Sequence, residues 1–443
     1  MRRNRFICLT VVSLLFVAVV SCQVGYSAET LTLDDLPSSG ESWVIETDSI
    51  LTVNVGETAV IDGVFLYVNG TEDTIIQLEI VNNGELIIDS TQIRCDHANF
   101  TIQNTGTLTL ETSHVTVIGN STLSVNSEGQ CIMTDMSIDV FGGYAYLKNT
   151  GSLVMKNGYF KDQFDGTFIT NYGVAVFNTT TFVMNGAEGK IEIFNSGDLK
   201  LNQGVFDVNY GGKLNVNTLT GTLTATECSM DISGASHGKK SDVNILGDNA
   251  TWESCSFVNN GGKINYLNTG EVSLTNCTGS NSGVDASTIL SSSGPIVFEN
   301  SQFSGSGSTS ITNWDSMKFI DSNLTSSDSL TLINNAELTA EKWFVKTTSN
   351  TARILIYNGN NGSITFNVSF IENVTSSVLT SIGPEGREFV GPSGGTIAIT
   401  NEGSITGQPD SSLIYILAII AAIIVVIIVF WVMRKKLFKS TSS

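Results

Sequence analysis

Side chains able to do acid–base chemistry are few. The 443 residues include three histidines, His97, His114 and His237, and residues 29–410 contain three arginines, Arg94, Arg353 and Arg387. Arg94, Asp96 and His97 fall close together, with His114 one repeat further on. A cation, a carboxylate and an imidazole in one place could move a proton, or could simply share a solvated surface. Glycoside hydrolysis needs two carboxyl groups held roughly 5–10 Å apart. Asp89, Glu111, Asp135 and Glu253 read instead as dispersed. There is no nucleophile elbow, phosphate loop or dinucleotide fingerprint. No residue is therefore assigned a catalytic, cofactor-binding or metal-ligating role, and the expectation is a protein without enzymatic activity.

The elements that must position these groups are set by a repeated phrase: apolar, variable, Asn, variable, Gly, then alternating apolar residues. It begins clearly at Ile80-Val81-Asn82-Asn83-Gly84 and returns at Ile102–Gly106, Leu147–Gly151, Ile169–Gly173, Ile193–Gly197 and Tyr266–Gly270. Drifted copies occupy 311–315 and 332–336. Glycines 84, 106, 129, 151, 173, 197 and 221 lie 22 to 24 residues apart. A fixed period of this length means a stacked array. After each Gly comes a period-2 stretch such as Leu86-Ile87-Ile88, which reads as a short strand. Seven residues past the Gly stands a small residue: Thr91, Ser113, Gly158, Thr180, Gly204, Cys228, Cys277, Ser301 or Ser322. A third alternating run, such as Gly189-Lys190-Ile191-Glu192-Ile193, closes many units. Three strands and three bends per unit follow.

Three strands per coil, stacked in register, resembles the right-handed parallel β-helix of the pectate-lyase type. The fold class expected is all-β, a right-handed parallel β-helix solenoid of about 14 coils, followed by one C-terminal transmembrane helix. The handedness is implied by the resemblance. The column Asn82, Asn104, Asn149, Asn171, Asn195, Asn268, Asn313, Asn334 and Asn358 looks like that family's asparagine ladder at a tight bend. Asn and Gly tolerate left-handed backbone, and stacked amides can bond from coil to coil, so each ladder Asn is expected to hold a left-handed bend. Lyases on this scaffold use a basic residue with carboxylate-bound calcium, and hydrolases use clustered aspartates with a histidine. The chain lacks the Asp-Asp and Gly-His-Gly motifs of polygalacturonases. A tethered polysaccharide lyase or hydrolase is the alternative function.

Five cysteines follow residue 28: Cys95, Cys131, Cys228, Cys255 and Cys277. An odd number leaves at least one unpaired within the chain, and no Cys/His spacing suits zinc. Cys228, Cys255 and Cys277 share one column of successive units. They are either small buried residues or the site of one bridge, Cys228–Cys255 or Cys255–Cys277. Ten Asn-x-Ser/Thr sequons are candidate glycan acceptors: Asn69, Asn99, Asn120, Asn178, Asn249, Asn276, Asn323, Asn361, Asn367 and Asn373.

The ends suggest export and anchoring. Arg2, Arg3 and Arg5 precede an apolar run, so 1–28 reads as a signal peptide. Cys22 follows a sequence resembling a lipobox and would then carry lipid; otherwise it merely ends the apolar run. Residues 29–60 are expected to cap the first coil, 61–375 to form the β-helix, and 376–410 a last coil and stalk. Residues 411–433 read as a membrane helix, because Leu413–Met433 is 21 residues without a charge. The basic tail 434–443 places the C-terminus in the cytoplasm and the N-terminal part outside a plasma membrane. Residues 29–410 carry a net charge of −27, which excludes nucleic acid as a partner and keeps a sheet-rich rod soluble. The partners expected are the membrane, through the C-terminal helix, and glycans or other envelope proteins. A structural or adhesive role at the cell surface follows.

Overall fold

Alternating apolar residues in three short strands per repeat bury one edge of every strand in a shared interior. In the computed structural model the chain winds into a parallel β-solenoid of about 14 coils. The structure describes residues 28–408, apart from 187, 234, 237–238, 284–285, 360, 368–369, 372–373, 376–386, 391–395 and 402–403. At a strand spacing of about 4.8 Å the stack is roughly 65 Å long. The signal segment, Cys22, His237, Asn373, the apolar run 413–433 and the basic tail lie outside the described residues. Among the described residues, no helix is long and apolar enough to cross a membrane.

Three faces run the length of the stack. The first holds the strands that follow the Asn-Gly bend, as in Glu85–Asp89, Thr107–Glu111 and Gln130–Thr134. The second holds those that follow the small-residue column, as in Phe65–Asn69 and Gln92–Asp96. The third leads into the ladder, as in Ile76–Asn82 and Ala98–Asn104. Pairing from coil to coil is parallel and in register, apart from irregularities beside Ile118, Phe141 and Thr218. Aromatic residues stack down the interior: Phe160, Phe182 and Phe206 with ring centroids 5.1 and 4.9 Å apart, and Phe298, Phe319 and Trp343 at 4.7 Å each.

Two sequence expectations need correction here. Residues 42–60 belong to the array, because Ser42–Ile45, Ser49–Val53 and Thr58–Asp62 each pair in parallel with the next coil. They carry Asn54-Val55-Gly56 one place out of the ladder, with Val53 opposite Asn82, yet keep the alternation that drives burial. Ahead of them, Glu29–Leu31 already pairs in parallel with Ser49–Leu51, and Leu31, Leu33 and Leu36 pack against the core. At the other end, Thr396–Asn401 and Ser404–Gln408 add a last coil in register. The insertion near 234–241 leaves the parallel stack as a two-stranded antiparallel ribbon, Ala235–Ser236 with Lys239–Lys240.

The second correction concerns the bends. None of the nine ladder asparagines has positive φ. Among the described residues, twelve of the fifteen non-glycine residues with positive φ form a different column, at the corner between the first and second faces: Ser90, Thr112, Asp135, Asn157, Thr179, Gln203, Glu227, Ser254, Asn276, Asn300, Asp321 and Lys342, with φ from +47° to +55°. The next residue in the chain is the small one, except after Asp135 and Lys342, where Met136 and Trp343 follow. Ser113 Oγ donates to Glu111 O at 2.7 Å, reaching back across Thr112, and lies 3.4 Å from Ile88 O of the preceding coil. Ser322 does the same with Ile320 O and Phe298 O at 2.8 and 3.2 Å. A buried hydroxyl thus ties the left-handed corner to two carbonyls.

Glycine of the Asn-x-Gly phrase is required for closeness. A Cβ at Gly173 would lie 2.1 Å from Gly151 O, and one at Gly151 would lie 2.2 Å from Gly129 O. The late bends carry Asp315 and Ala336 in this column, so those corners admit a side chain.

Candidate functional site

The ladder asparagines are structural groups turned inward, with every one of the nine buried. Each run is directional, its amide nitrogen donating to the next coil. Asn82 donates to Asn104 at 2.7 Å and Asn104 to Ser127 Oγ at 3.0 Å. Asn149 donates to Asn171 and Asn171 to Asn195, both at 2.7 Å. Asn268 donates to Ser292 Oγ at 3.0 Å, and Asn313, Asn334 and Asn358 form a last run at 2.9 and 2.8 Å. A run of donors in one direction leaves an acceptor over at its start, and Asn82, Asn149 and Asn268 Oδ1 are buried without a partner.

Cys228, Cys255 and Cys277 are free, buried thiols in the small-residue column. Their sulfurs make the hydroxyl's contacts: Cys228 Sγ lies 3.3 Å from Leu201 O, Cys255 Sγ 3.3 Å from Glu253 O, and Cys277 Sγ 3.4 Å from both Trp252 O and Thr275 O. Hydrogen bonding to Cys255, together with burial, raises the Cys228 and Cys277 thiols. Burial pushes Cys95 and Cys131 up to about 12. All four are therefore poor nucleophiles.

The Arg94 grouping divides in two. Asp96 receives Arg94 Nη2 at 3.1 Å and His97 Nδ1 at 3.0 Å, while the guanidinium lies 5.5 Å from the centre of the Tyr67 ring. His114 turns instead to Thr116 Oγ1 at 3.0 Å and to Asp139 at 3.7 Å. The carboxylates are less dispersed than their spacing suggested. Asp62, Asp89 and Glu111 occupy one position on three successive strands of the first face, since separations of 27 and 22 residues each become one strand step. Asp135 accepts from Asn157 Nδ2 at 2.9 Å, and Glu253 stands between Thr226 and Thr275. Among the described residues, no group of three or more His, Cys, Asp or Glu is placed to hold a metal ion.

Of the sequons, Asn120, Asn249, Asn276 and Asn361 are exposed, and Asn69, Asn99, Asn178 and Asn323 are half-buried on the outer faces. Asn178 Oδ1 is engaged by Asn202 at 2.7 Å.

The concavity that sequence reasoning missed lies on the second face, over five late coils. Its strands are Ser256–Asn260, Thr278–Ser282, Gln302–Gly305, Asn323–Ser326 and Phe344–Thr347, paired in register. One outward row reads Ser256, Thr278, Gln302, Asn323, Phe344, and the parallel row reads Val258, Ser280, Ser304, Thr325, Lys346. Together with Phe257, Gly279, Phe303 and Val345 they line a groove of about 790 Å³, within the usual range for ligand sites. Five strands at about 4.8 Å give it a length of roughly 19 Å. Hydroxyls, amides, aromatic rings and one ammonium line it, with no carboxylate or imidazole among them. Such a lining can hold a polyhydroxylated chain, and its residues supply no acid–base pair to cut one.

No family model, curated protein or solved structure matches this chain. The groove must therefore be read from its own chemistry. The third face offers a contrasting surface, with Tyr146 stacked on Phe168 at 5.1 Å and Lys190 above Phe168 while paired to Glu192 at 2.7 Å. There the polar groups are already partnered. In the groove, Phe344 is 47% exposed and the side chains beside it face solvent.

Proposed function

We propose that this chain is a membrane-tethered, cell-surface rod of the right-handed pectate-lyase-like type, and that its second-face groove binds a glycan chain, giving the rod an adhesive role. The groove carries the reading. It runs along the rod axis, its outward rows are mostly Ser, Thr, Gln and Asn with Phe344 and Lys346 at one end, and a few placed polar groups are what orient a bound ligand. Glycan-array binding by the full-length protein tests it. Phe344→Ala combined with Gln302→Ala is expected to weaken any hit at least about tenfold, as loss of an aromatic anchor does. Unchanged binding would remove the groove from the reading. Asn323 lines the groove and begins a sequon, so the reading also requires that asparagine to carry no glycan, which peptide mass spectrometry checks. Chain-shortened products after incubation would favour the alternative, a tethered lyase or hydrolase.

The tether rests on the apolar run 413–433, the basic residues after it and the export signal. Protease added to intact cells is expected to remove nearly everything before Ser411 and to spare the tail. A protected rod with a cleavable C-terminus would overturn that topology.

A further inference from the structure

One layer of the ladder column carries no side chain. Thr218, Gly247, Asn268 and Ser292 occupy the column on four successive coils. Two residues earlier in each strand the inward column runs Val216, Ile245, Tyr266 and Leu290, so a tyrosine stands among aliphatic neighbours. Gly247 has no positive φ, so its backbone does not demand glycine. Its chain neighbours aside, a Cβ built there would meet nothing nearer than the Tyr266 hydroxyl at 3.5 Å, with Asn268 Oδ1 and Thr218 Oγ1 each at 3.8 Å. Three oxygens from three coils thus face one small space.

The bonds already made around that space leave a defined set over. Asn268 Nδ2 is committed to Gly270 O and Ser292 Oγ, while its Oδ1 is buried without a partner in a residue only 3% exposed. Thr218 Oγ1 gives its proton to Leu246 O at 3.3 Å and keeps lone pairs. Tyr266 Oη accepts from Trp252 Nε1 at 3.3 Å and has its own proton to give. Burial pushes that phenol up, so the proton stays. The other two unpartnered ladder acceptors show the contrast. Val53 stands one coil before Asn82 and Ser127 one coil before Asn149, so a side chain fills the layer beside each.

We propose that one water molecule is bound beside Gly247 as part of the fold, doing there what a ladder amide does in other coils. It accepts from Tyr266 Oη, donates to Asn268 Oδ1 and turns its second proton to Thr218 Oγ1. Three partners are usual for a buried water, and three uncharged oxygens suit water better than a cation. Asn249, two residues on, is exposed. The space therefore lies just beneath a bend, where water is enclosed as the coil closes and need not cross the sheet.

A high-resolution crystal structure of the full-length protein in detergent tests this directly. Density is expected at about 2.6–3.0 Å from both Tyr266 Oη and Asn268 Oδ1; no peak between them overturns the site. Unfolding in urea gives a second test. Gly247→Ala puts a methyl where the water stands and strands Asn268 Oδ1, so the folding equilibrium is expected to weaken about tenfold. In a dry space the sign would reverse, because alanine fills it and loses less backbone freedom than glycine. A Gly247→Ala protein as stable as the unaltered one, or more so, overturns the proposal. Gly247→Ser is expected to recover most of the loss, its hydroxyl donating to Asn268 in the water's stead, since Ser127 and Ser292 already fit this column. The crystal of the unaltered protein decides even if neither variant folds.

Discussion

Replacing Asn171 with glycine is expected to destabilise the rod about as much as replacing it with valine, by roughly 3 kcal/mol in either case. Had the residue held a left-handed bend, glycine would be the mild substitution. Its backbone is not left-handed, so the side chain is what matters. Asn171 Nδ2 lies 2.7 Å from Asn195 Oδ1, 3.0 Å from Asp198 O and 3.1 Å from Gly173 O, and its own Oδ1 receives Asn149 Nδ2. Either substitution strips buried polar groups of a partner, each at about 1–3 kcal/mol. Serine should be milder, at about 1 kcal/mol, because Ser127 and Ser292 already occupy this column and accept from Asn104 and Asn268. Denaturant midpoints of the three variants would rank them. A benign glycine beside a damaging valine would show that backbone freedom, rather than the amide, is what the position requires.

Asp162 is the second site where a large effect is expected. It stands in the inward column between Val140 and Met184 and is fully buried. Thr167 Oγ1 donates to one oxygen at 3.0 Å and the Lys190 amide to the other at 3.3 Å. Burial outweighs both and pushes its carboxyl up to about 7, with Asp165 adding to the rise. An unfolded aspartate titrates near 3.9. Between those values the folded state holds a proton that the unfolded state has lost, so stability falls as pH rises from about 4 to about 7 and is level above that. At about 1.4 kcal/mol per unit, the fall approaches 4 kcal/mol at most. Asp162→Asn keeps the shape and removes the titration. The variant is expected to be the more stable protein at pH 8 by a few kcal/mol, with the difference vanishing near pH 4. Parallel unfolding curves for the two proteins across that range would show that the carboxyl titrates normally.

The coil was legible because its requirements fall on few residue types. An amide chain needs Asn, and a bend against the neighbouring Gly151 carbonyl needs a residue without Cβ, so Asn171 and Gly173 recur visibly. The left-handed corner was not legible. Closure of the coil imposes it on whatever stands there, and Thr112, Gln203, Glu227 and Lys342 share no chemistry. Its trace is indirect, in the hydroxyl or thiol that follows at Ser113, Cys228 or Ser322 and bonds back across it. Asp162 was overlooked because a single carboxylate in an alternating strand has no spacing to betray which way it points. The groove was hidden for a different reason. Ser256, Thr278, Gln302, Asn323 and Phe344 lie on separate repeats and become one row only when coils align.

The pairing between coils also sets how such a rod would respond to pulling. Its hydrogen bonds point along the long axis, so a load applied between the two ends of the stack opens them a strand at a time instead of shearing a whole sheet at once. A coil of the usual 22 to 24 residues releases roughly 75–80 Å of extended chain as it peels away, from a layer about 4.8 Å thick. With the proposed tether and groove, a cell held by a ligand in the late coils would strain only the short stack between the two. A cell held by the tip would draw on every coil, lengthening by stages under a force that stays low while the ligand remains attached.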